Sequence, residues 1–521
     1  MTLRWNLLLI IGLIVAVQHT SVFAALHEPL PLDHWAYPLL TQLIRRHSLV
    51  ELRTNVRPST RGQIAQSLLQ ADSTATDDPV VHWLLTKLNE EFQAERRLLR
   101  GLRQGQSGEW SVAWGGEGNR TDQGVRSSVW VGVDVARGVS LFGRVEGLTA
   151  DLRDPAFAGA EKRFGLTARV REAGVAYQTR WMGVIFGRQR IAWGPVGMEV
   201  GWWRNGLEGR QLLISGWAPS FDQMSIWLRY KTVTITMLQA MLDASSIDES
   251  PSRQYVNRYL ALHRLEWRPR ADLVVGLSDG ALYTGVGRPV EWYYLNPLIP
   301  VFESVSTNPR RGEAPRGDND NIVMMLDVSW WLRRMELYGE VLVDEFQYEQ
   351  PDRRRFHDAL GRRFGLVVTA PLTIRQMDVG VEYLRNDRWL YIHPGLFTRY
   401  LYHGIILGTP LGGDVEQVVG WMTYQLTRDL AMHGAGTWRR RGETEVVTTP
   451  WQVGKDRGFP FGVVERTWEG RVGMTYHPLN NLVGTFGMGY DRTRNAGHRP
   501  GDDERMFMVS FSIAYTLDLA L

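Results

Sequence analysis

Three short segments of this sequence combine aromatic residues with planar polar residues, a mixture that suits the binding of sugars. Aromatic rings stack on the apolar C–H faces of a sugar, and Arg, Asn and Asp side chains hydrogen-bond to its hydroxyl groups. Single contacts of this kind are weak, but they add up along a repeating polymer through multivalency. These segments are therefore candidate carbohydrate-binding sites. They are Trp202, Trp203, Arg204 and Asn205; Trp292, Tyr293, Tyr294 and Asn296; and Arg399, Tyr400, Tyr402 and His403.

The same segments have a second interpretation that the sequence leaves open. Trp and Tyr residues also collect at the two membrane–water interfaces of a membrane protein, or they pack together inside a fold. The choice depends on the end of the fold at which each segment lies, and the sequence does not specify that end.

One segment matches the serine nucleophile motif G-x-S-x-G. In Gly276-Leu277-Ser278-Asp279-Gly280 the serine would have to sit on a sharp turn between a strand and a helix. A strand pattern precedes Ser278, but the Gly- and Pro-containing residues 282–289 do not favour a helix. We predict that the motif is the end of a strand entering a loop. An outer-membrane hydrolase that uses Ser278 is a minor alternative.

Two groups of acidic residues could indicate a metal site or acid catalysis. Asp318-Asn319-Asp320-Asn321 lacks the Gly and the distal Glu of an EF-hand loop, so we predict a turn there. Glu336, Glu340 and Asp344 share one face of one predicted strand, whereas glycoside hydrolysis needs carboxylates that flank the scissile bond. The sequence contains neither a Walker loop nor H-E-x-x-H. We predict no catalytic residue, no metal site and no cofactor.

The composition excludes other classes of protein. The chain of 521 residues contains no Cys, so it has neither a disulfide framework nor a thiolate metal site. Its formal net charge of +3 gives no reason to expect nucleic acid as a partner. The mean hydropathy is −0.24, and no long uncharged apolar stretch follows the N-terminal segment. We therefore expect no membrane-spanning helix after that segment.

The first 24 residues have the pattern of a signal peptide. Arg4 supplies a positive charge, residues 7–17 are apolar, and Val22-Phe23-Ala24 places small residues where a signal peptidase cleaves. The apolar run is shorter than the about 20 residues of a membrane-spanning helix. We predict cleavage after Ala24 and export from the cytoplasm, with an uncleaved anchor as the alternative.

Residues 25–108 have the period of helices. Three apolar stripes recur at helical spacing, and Thr60 with Gln63 forms a plausible capping box before the second stripe. We predict a small periplasmic helical bundle that ends in a Gly- and Gln-rich linker, residues 101–108. The stripes consist of Trp35, Leu39, Leu40, Leu43 and Ile44; Ile64, Ala65 and Leu68; and Val81, Leu84, Leu85, Leu88 and Phe92.

From about Glu109 to Leu521 the period changes to two, which is typical of β-strands. At the C-terminus the odd positions from Phe507 onward are apolar, and the even positions are mostly small or polar. The same alternation recurs on both sides of the turns at Arg137-Gly138, Pro269-Arg270-Ala271 and Arg333-Arg334. A membrane β-barrel faces lipid with every second residue, so its mean hydropathy stays low.

These strands predict a mainly β protein, a large antiparallel transmembrane β-barrel over residues 109–521. About 410 residues at roughly 20–25 per strand and loop give ~16–20 strands, and closure favours an even number. Glu336, Glu340 and Asp344 should then face a wet lumen, because carboxylates are costly toward lipid. The last strand is predicted to close the barrel.

Three motifs resemble the capsule-assembly Wzi family. They are Gly187-Arg188-Gln189-Arg190 through Trp193-Gly194-Pro195; residues 296–304 followed by Asp318-Asn319-Asp320-Asn321; and Leu337-Tyr338-Gly339-Glu340 leading to Asp344-Glu345-Phe346. The resemblance covers residues 109–521. It implies an outer-membrane barrel of about eighteen strands with a helical plug or bundle on the periplasmic side. It also implies a surface lectin that anchors exported capsular polysaccharide or exopolysaccharide and is not an enzyme.

The partners that this interpretation implies are the polysaccharide and outer-membrane lipid. Residues 34–37 and 57–61 also resemble a degenerate S-layer homology module, which would imply contact between the helices and peptidoglycan; a plain plug is the alternative. A saccharide-selective porin would share the barrel and the aromatic content. The porin predicts an open lumen, whereas the lectin predicts little conductance.

Overall fold

The computed structural model describes residues 26–71, 78–103, 111–121, 124–136, 138–148, 167–198, 210–249, 252–301, 303, 320–345, 358–452 and 458–520. The predicted signal peptide lies outside these residues, as does the segment Trp202, Trp203, Arg204 and Asn205.

The described part of the N-terminal bundle contains four α-helices. They are α1 (Ala36–Arg45), α2 (Arg61–Ala71), α3 (Pro79–Glu91) and α4 (Gln93–Arg103). The three predicted apolar stripes all contribute to the core of this bundle. The predicted capping box is confirmed, because the Thr60 N–H donates to Gln63 Oε1 at 3.0 Å and the Gln63 N–H donates to Thr60 Oγ1 at 3.3 Å. None of the described helices is long and apolar enough to cross a membrane.

The rest of the described chain consists mainly of antiparallel strands and the segments that connect them. The strands are β1 (Val56–Arg57), β2 (Ser111–Thr121), β3 (Gly124–Ala136), β4 (Val139–Leu148), β5 (Thr167–Gln178), β6 (Met182–Gln189), β7 (Ala192–Trp193), β8 (Phe221–Tyr230), β9 (Val233–Met241), β10 (Ser245–Glu249), β11 (Ser252–Arg270), β12 (Leu273–Val286), β13 (Asn321–Leu332), β14 (Met335–Glu345), β15 (Ala359–Thr369), β16 (Met377–Asn386), β17 (Leu401–Tyr402), β18 (Ile405–Ile406), β19 (Val415–Gln425), β20 (Leu430–Arg441), β21 (Glu465–Leu479), β22 (Leu482–Arg494) and β23 (Asp503–Ala520). Short 3₁₀ turns lie at Val50–Leu52, Trp292–Leu295, Pro371–Thr373, Leu396–Thr398 and Ala496–His498.

Nineteen of the described strands form one sheet that closes on itself. The last strand, β23, pairs with the first, β2, so the prediction that it closes the barrel is confirmed. Strands β9 and β10 pair with successive stretches of β11 and together act as one barrel strand. In the described residues the barrel therefore has eighteen strands, an even number within the predicted range.

The outer face of the barrel is apolar, as the period of two predicts. Phe507, Val509, Phe511 and Ile513 of β23 are all more than two-fifths exposed. Aromatic side chains surround the barrel near the end at which the short turns lie, as in the girdles of membrane barrels. These exposed residues are Trp181, Tyr230, Trp267, Trp330 and Tyr476.

The helical bundle covers the end of the barrel that carries the short turns. The Arg53 guanidinium donates to the Ala271 carbonyl at 2.8 Å, and the Lys87 ammonium donates to the His477 carbonyl. On the other side of the ring, the Leu26 N–H donates to the Asp134 carboxylate at 3.1 Å. These contacts extend from β3 round to β21. Since membrane barrels place their short turns in the periplasm, the bundle marks the periplasmic end.

Candidate functional site

An apolar core occupies the lumen on the side lined by strands β8 to β19. Inward-facing residues of these strands pack against the long segments that follow β6 and β16. The residues of this lumen core include Ile191, Trp193, Leu212, Leu213, Ile214, Phe221, Leu238, Leu260, Leu262, Leu282, Val323, Met325, Leu342, Leu384, Trp389, Leu390, Tyr391, Tyr400, Leu407, Val415 and Val446. The prediction of a wet lumen is therefore wrong on this side, because chain folds back into the barrel.

The segment between β6 and β8 passes down through the lumen to the helical bundle. Its short strand β7 pairs with β1 of the bundle, with Val56 opposite Trp193 and Arg57 opposite Ala192. The Gly194 N–H then donates to the Asn55 carbonyl at 2.7 Å. The segment thus joins the periplasmic bundle to the interior of the barrel.

Gly194 must be glycine at this point of contact. Its φ of +122° lies in a region that other residues rarely adopt. A Cβ at this position would also collide with the Glu340 carboxylate. Two motifs of the family resemblance, far apart in sequence, therefore meet inside the barrel.

Buried ion pairs fix the segment against the barrel wall. The Arg363 guanidinium lies 3.0 Å from Glu382 and 3.2 Å from Glu340, and it donates to the Pro195 carbonyl at 2.9 Å. The Tyr338 hydroxyl donates to Glu382 at 2.7 Å. Each side chain of this cluster is at most 4% exposed. The charged groups, the tyrosine hydroxyl and the Pro195 carbonyl therefore bond to one another and not to bulk water.

The three carboxylates of β14 face inward, as predicted. Glu336 pairs with Arg45 of α1 at 2.6 Å, so it anchors the bundle. Glu340 accepts the Leu212 N–H at 3.1 Å, and Asp344 accepts the Tyr391 N–H at 2.6 Å. Glu336 thus holds the bundle, and Glu340 and Asp344 hold inserted chain, which favours structural roles over a catalytic acid pair.

Ser278 lies within a strand, so the prediction that it ends one is wrong. Strand β12 continues beyond it to Val286, so Ser278 is followed by eight more strand residues. The Ser278 hydroxyl accepts from Arg264, whose guanidinium also pairs with Asp327 at 2.6 Å. The nucleophile elbow needs a strand, a sharp turn and a helix, and the turn and helix are missing here.

The Asp320 carboxylate is already paired inside the protein. Arg288 donates to both of its oxygens at 2.6 and 2.9 Å, and the Tyr294 hydroxyl donates at 2.8 Å. Asn321 donates to the Thr398 carbonyl at 3.0 Å. Asp318 and Asn319 lie outside the described residues.

The second predicted sugar-binding segment lies in the long loop after β12, at the outer end of the barrel. Trp292 is 83% exposed, and Asn296 is also exposed. Tyr293 is half-buried and meets the Tyr294 ring edge-on at 4.4 Å between centroids. Tyr294 is fully buried, and burial raises the pKa of its hydroxyl. The loop therefore presents Trp292, Tyr293 and Asn296, while Tyr294 packs underneath.

The third predicted segment is mostly packed into the fold. The Arg399 guanidinium donates to the carbonyls of Val446 and Val447 at 2.9 and 2.8 Å. Tyr400 is fully buried, and its ring stacks on a lumen-core tyrosine, Tyr391. Tyr402 is buried as well, and only His403 is exposed. Of the described candidates, Tyr294, Arg399, Tyr400 and Tyr402 thus have packing roles that hide them from a polymer.

Sequence reasoning did not identify a second aromatic group at the outer end. The Arg388 guanidinium lies over the Phe461 ring at 3.4 Å and over the Trp389 ring at 4.6 Å from the centroids. Trp451 packs against Trp389 at 6.3 Å, and Phe461 and Trp451 are both partly exposed. These residues come from two different loops, so no local sequence pattern indicates that they meet.

The comparisons with known proteins agree with this architecture. A family model described as capsule assembly protein Wzi matches residues 116–506, about three quarters of the chain. The chain belongs to the Wzi capsule-assembly family. It is accordingly an outer-membrane β-barrel protein and not an enzyme.

Among solved structures, Wzi of Escherichia coli is similar over 93% of this chain and 98% of that chain, with a TM-score of 0.57 and 13% identity. It is described as a carbohydrate-binding β-barrel involved in group 1 capsule assembly. OpdK of Pseudomonas aeruginosa, solved with vanillate, matches 79% of this chain and 99% of its own, with a TM-score of 0.45 and 11% identity. At that TM-score the porin adds no argument about function. No protein of curated function matches the chain.

Proposed function

We propose that this protein is a surface lectin that binds exported capsular polysaccharide or exopolysaccharide and anchors it on the cell. The observation that carries the proposal is membership of the Wzi family over residues 116–506. The Escherichia coli Wzi barrel, which binds carbohydrate, shares the fold of this chain.

The filling of the lumen favours surface binding over transport. Inserted chain and the lumen core occupy the side lined by β8 to β19, and the bundle contacts the periplasmic rim from β3 to β21. A porin for saccharides needs a continuous wet path, and the bundle stands across its periplasmic mouth. The polymer is therefore expected to remain on the outer side.

Among the described candidates, the best placed to contact a polymer are those at the exposed tip of the loop after β12. They are Trp292, Tyr293 and Asn296. Trp292 offers a ring face for stacking, and the Asn296 amide can hydrogen-bond to hydroxyl groups. His403 is the second exposed candidate. Trp202, Trp203, Arg204 and Asn205 stay predictions, since they lie outside the described residues.

The test of this surface is the substitution Trp292→Ala in the purified full-length protein. Loss of the stacking contact should weaken binding of the cells' own polysaccharide about tenfold per site, which corresponds to about 1.4 kcal/mol. The matched control is Trp181→Ala, which removes an exposed tryptophan of the periplasmic girdle, at the other end of the barrel. Equal binding by both variants would remove Trp292 from the site.

The anchoring role itself is tested in cells. Deletion of the gene should release polymer into the medium and leave the total amount synthesised unchanged. If the deletion strain keeps its polymer on the cell surface, the protein is not the anchor.

Contact between the bundle and peptidoglycan remains a prediction. Residues of the S-layer-like pattern are engaged within the protein: Trp35 meets the barrel residue His477 at 4.3 Å, and Arg61 pairs with Glu91 and Glu95. These contacts favour the plug. Sedimentation of the full-length protein with purified peptidoglycan sacculi tests the alternative.

A further inference from the structure

A row of charged residues crosses the outer ends of seven neighbouring strands, β15 to β23. In each adjacent pair of strands these residues are directly opposite one another. In order round the barrel, the charged row is Arg362, Arg385, Glu416, Arg440, Arg466, Arg494 and Asp503. It lies at the end of the barrel away from the helical bundle, since β20 starts beside the bundle and ends at Arg441.

The charged row has more positive charge than the fold neutralises. Three arginines, Arg440, Arg466 and Arg494, are directly opposite on successive strands, an arrangement that is unfavourable by itself. Arg440 pairs with Glu416, but Arg466 is exposed and makes no ion pair with any described residue. Arg494 lies over the Trp468 ring at 5.5 Å, and the Asp503 opposite it pairs with Arg492. Such a row indicates an anionic partner from outside the chain.

The charged row faces away from the lumen. Side chains alternate along a strand, and the next outward positions toward the membrane include Phe364, Tyr383, Trp438 and Trp468. These four lie in one register row with Val418, about 7 Å below the arginines. Tyr and Trp mark the membrane–water interface, so the arginines lie at the level of the lipid headgroups.

One step deeper, three glycines are directly opposite on successive strands. A Cβ added to Gly420, Gly436 or Gly470 would meet no atom within 4 Å, so the barrel surface is bare there. Val381 and Tyr490 border the bare patch in the same register row. At these three glycines no side chain covers the backbone. An extended acyl chain can therefore lie across the patch in contact with the strands.

We propose that this face of the barrel binds an outer-leaflet lipid that carries phosphate groups on a sugar headgroup and several acyl chains. The phosphates contact Arg440, Arg466 and Arg494, which present donors suited to phosphate oxygens. One acyl chain lies over the glycines. Three features favour a lipid over the extracellular polymer: the row is positively charged, it lies beside the aromatic residues of the interface, and it faces outward. The polymer, in contrast, is expected to contact the barrel at its loops.

The experiment is native mass spectrometry of the detergent-purified, full-length protein with added lipid. Bis-phosphorylated, hexa-acylated lipid A should bind, and phosphatidylglycerol should bind far less. The triple variant R440Q/R466Q/R494Q should lose affinity for lipid A by about 100-fold, and raised salt should weaken the wild-type complex. The matched control R270Q/R333Q/R334Q removes three exposed arginines at the periplasmic end and should bind lipid A normally.

A second variant tests the glycine patch without changing charge. Gly436→Val fills open space, so it should fold, and it should weaken binding of hexa-acylated lipid A several-fold. Val145→Leu, on the lipid-facing side of β4, is its control. Unchanged lipid A binding by the arginine variant, or equal binding of phosphatidylglycerol by the wild type, would overturn the proposal. So would loss of polysaccharide binding with lipid binding intact, because the arginines would then serve the polymer.

Discussion

Arg363 illustrates how single residues hold the inserted chain inside the barrel. Its guanidinium is fully buried and joins two wall carboxylates, Glu340 and Glu382, to the backbone of the inserted segment. A buried charge is costly unless it is paired and fully hydrogen-bonded, so each member of the cluster depends on the others.

Substitution of Arg363 by leucine should therefore destabilise the protein strongly. It leaves Glu340 buried without the arginine that it pairs with and Glu382 with Arg210 as its remaining cation, and we expect a loss of about 3–5 kcal/mol. The neighbouring Arg362 faces outward and pairs with Asp387 at 3.1 Å, so Arg362→Leu should cost about 1 kcal/mol or less. The temperature at which the folded band disappears in unheated gel electrophoresis measures both. If the folded bands of the two variants disappeared at the same temperature, the inferred role of the cluster would be contradicted.

His393 gives an outer loop a dependence on pH. Burial lowers the pKa of His393 to about 4, although Asp320 opposes this shift. Its Nδ1 lies 2.5 Å from the Thr398 hydroxyl, within the same loop. The folded pKa lies below the unfolded value of about 6.5, so the unfolded loop binds more protons between these values. The contribution of neutral His393 to the stability of the loop is therefore fully present above about pH 6.5, and it is lost as the pH decreases toward 4.

The loop formed by residues 387–414 should accordingly open more readily at pH 5 than at pH 7.5. Up to about 3 kcal/mol of local stability depends on the neutral ring across the full window. Hydrogen exchange of this loop, compared at the two pH values after correction for intrinsic rates, measures the change. His393→Gln cannot titrate and should abolish the difference. A difference that persists in this variant would assign the effect to another group.

At the scale of elements, regular structure was predictable and its insertion into the barrel was not. The capping residues Thr60 and Gln63 and the alternation in β23 act over a few residues, so local pattern is sufficient to indicate them. The pairing of β1 with β7 joins residues more than a hundred positions apart. The inserted segment contains Trp193 and Leu212, which a buried strand, a plug or a loop could equally contain.

The packing of the sugar-binding candidates could not be predicted for the same reason. Tyr400 and Tyr402 have the residue types of a carbohydrate site, but their loop folds into the lumen core. Trp292 belongs to a loop that remains on the surface. Only the course of each loop in three dimensions distinguishes a stacking platform from a packing residue.

The contact between β1 and β7 can be tested with an engineered disulfide, because the natural chain contains no Cys. Paired Cα atoms of an antiparallel ladder are about 4.5–5.5 Å apart, which is compatible with disulfide geometry. R57C/A192C should therefore oxidise to one intramolecular disulfide and change mobility on a non-reducing gel. R57C/A435C, which joins the bundle to an inward position of β20, should not. A cross-link in the control at equal yield would mean that the bundle moves freely.

At the scale of the whole molecule, the barrel is filled unevenly. Strands β8 to β19 contribute to the lumen core, whereas β20 to β23 contribute none of its described residues. Polar side chains such as His433 and Thr475 line that second side and hydrogen-bond to each other at 3.1 Å. The sequence predicted the strand number and the inward carboxylates, but it could not show that the lumen holds folded chain on one side only.

Closure of the pore therefore depends on the helical bundle as well as on the lumen core. The bundle contacts residues all round the periplasmic rim. These rim residues are Asp134, Ala271, Asp378 and Arg428, the last of which pairs with Glu90 of the bundle. In planar bilayers the full-length protein should show almost no stable conductance, because ions that enter beside β20 to β23 meet the bundle.

A variant that lacks residues 26–103 should conduct, since the polar side of the lumen then opens to the periplasm. The capping variant Thr60→Ala, which weakens α2 by about 1 kcal/mol but keeps the bundle, should stay closed. Regular single-channel steps from the intact protein would show that the bundle does not seal the rim, and would return the saccharide porin to consideration.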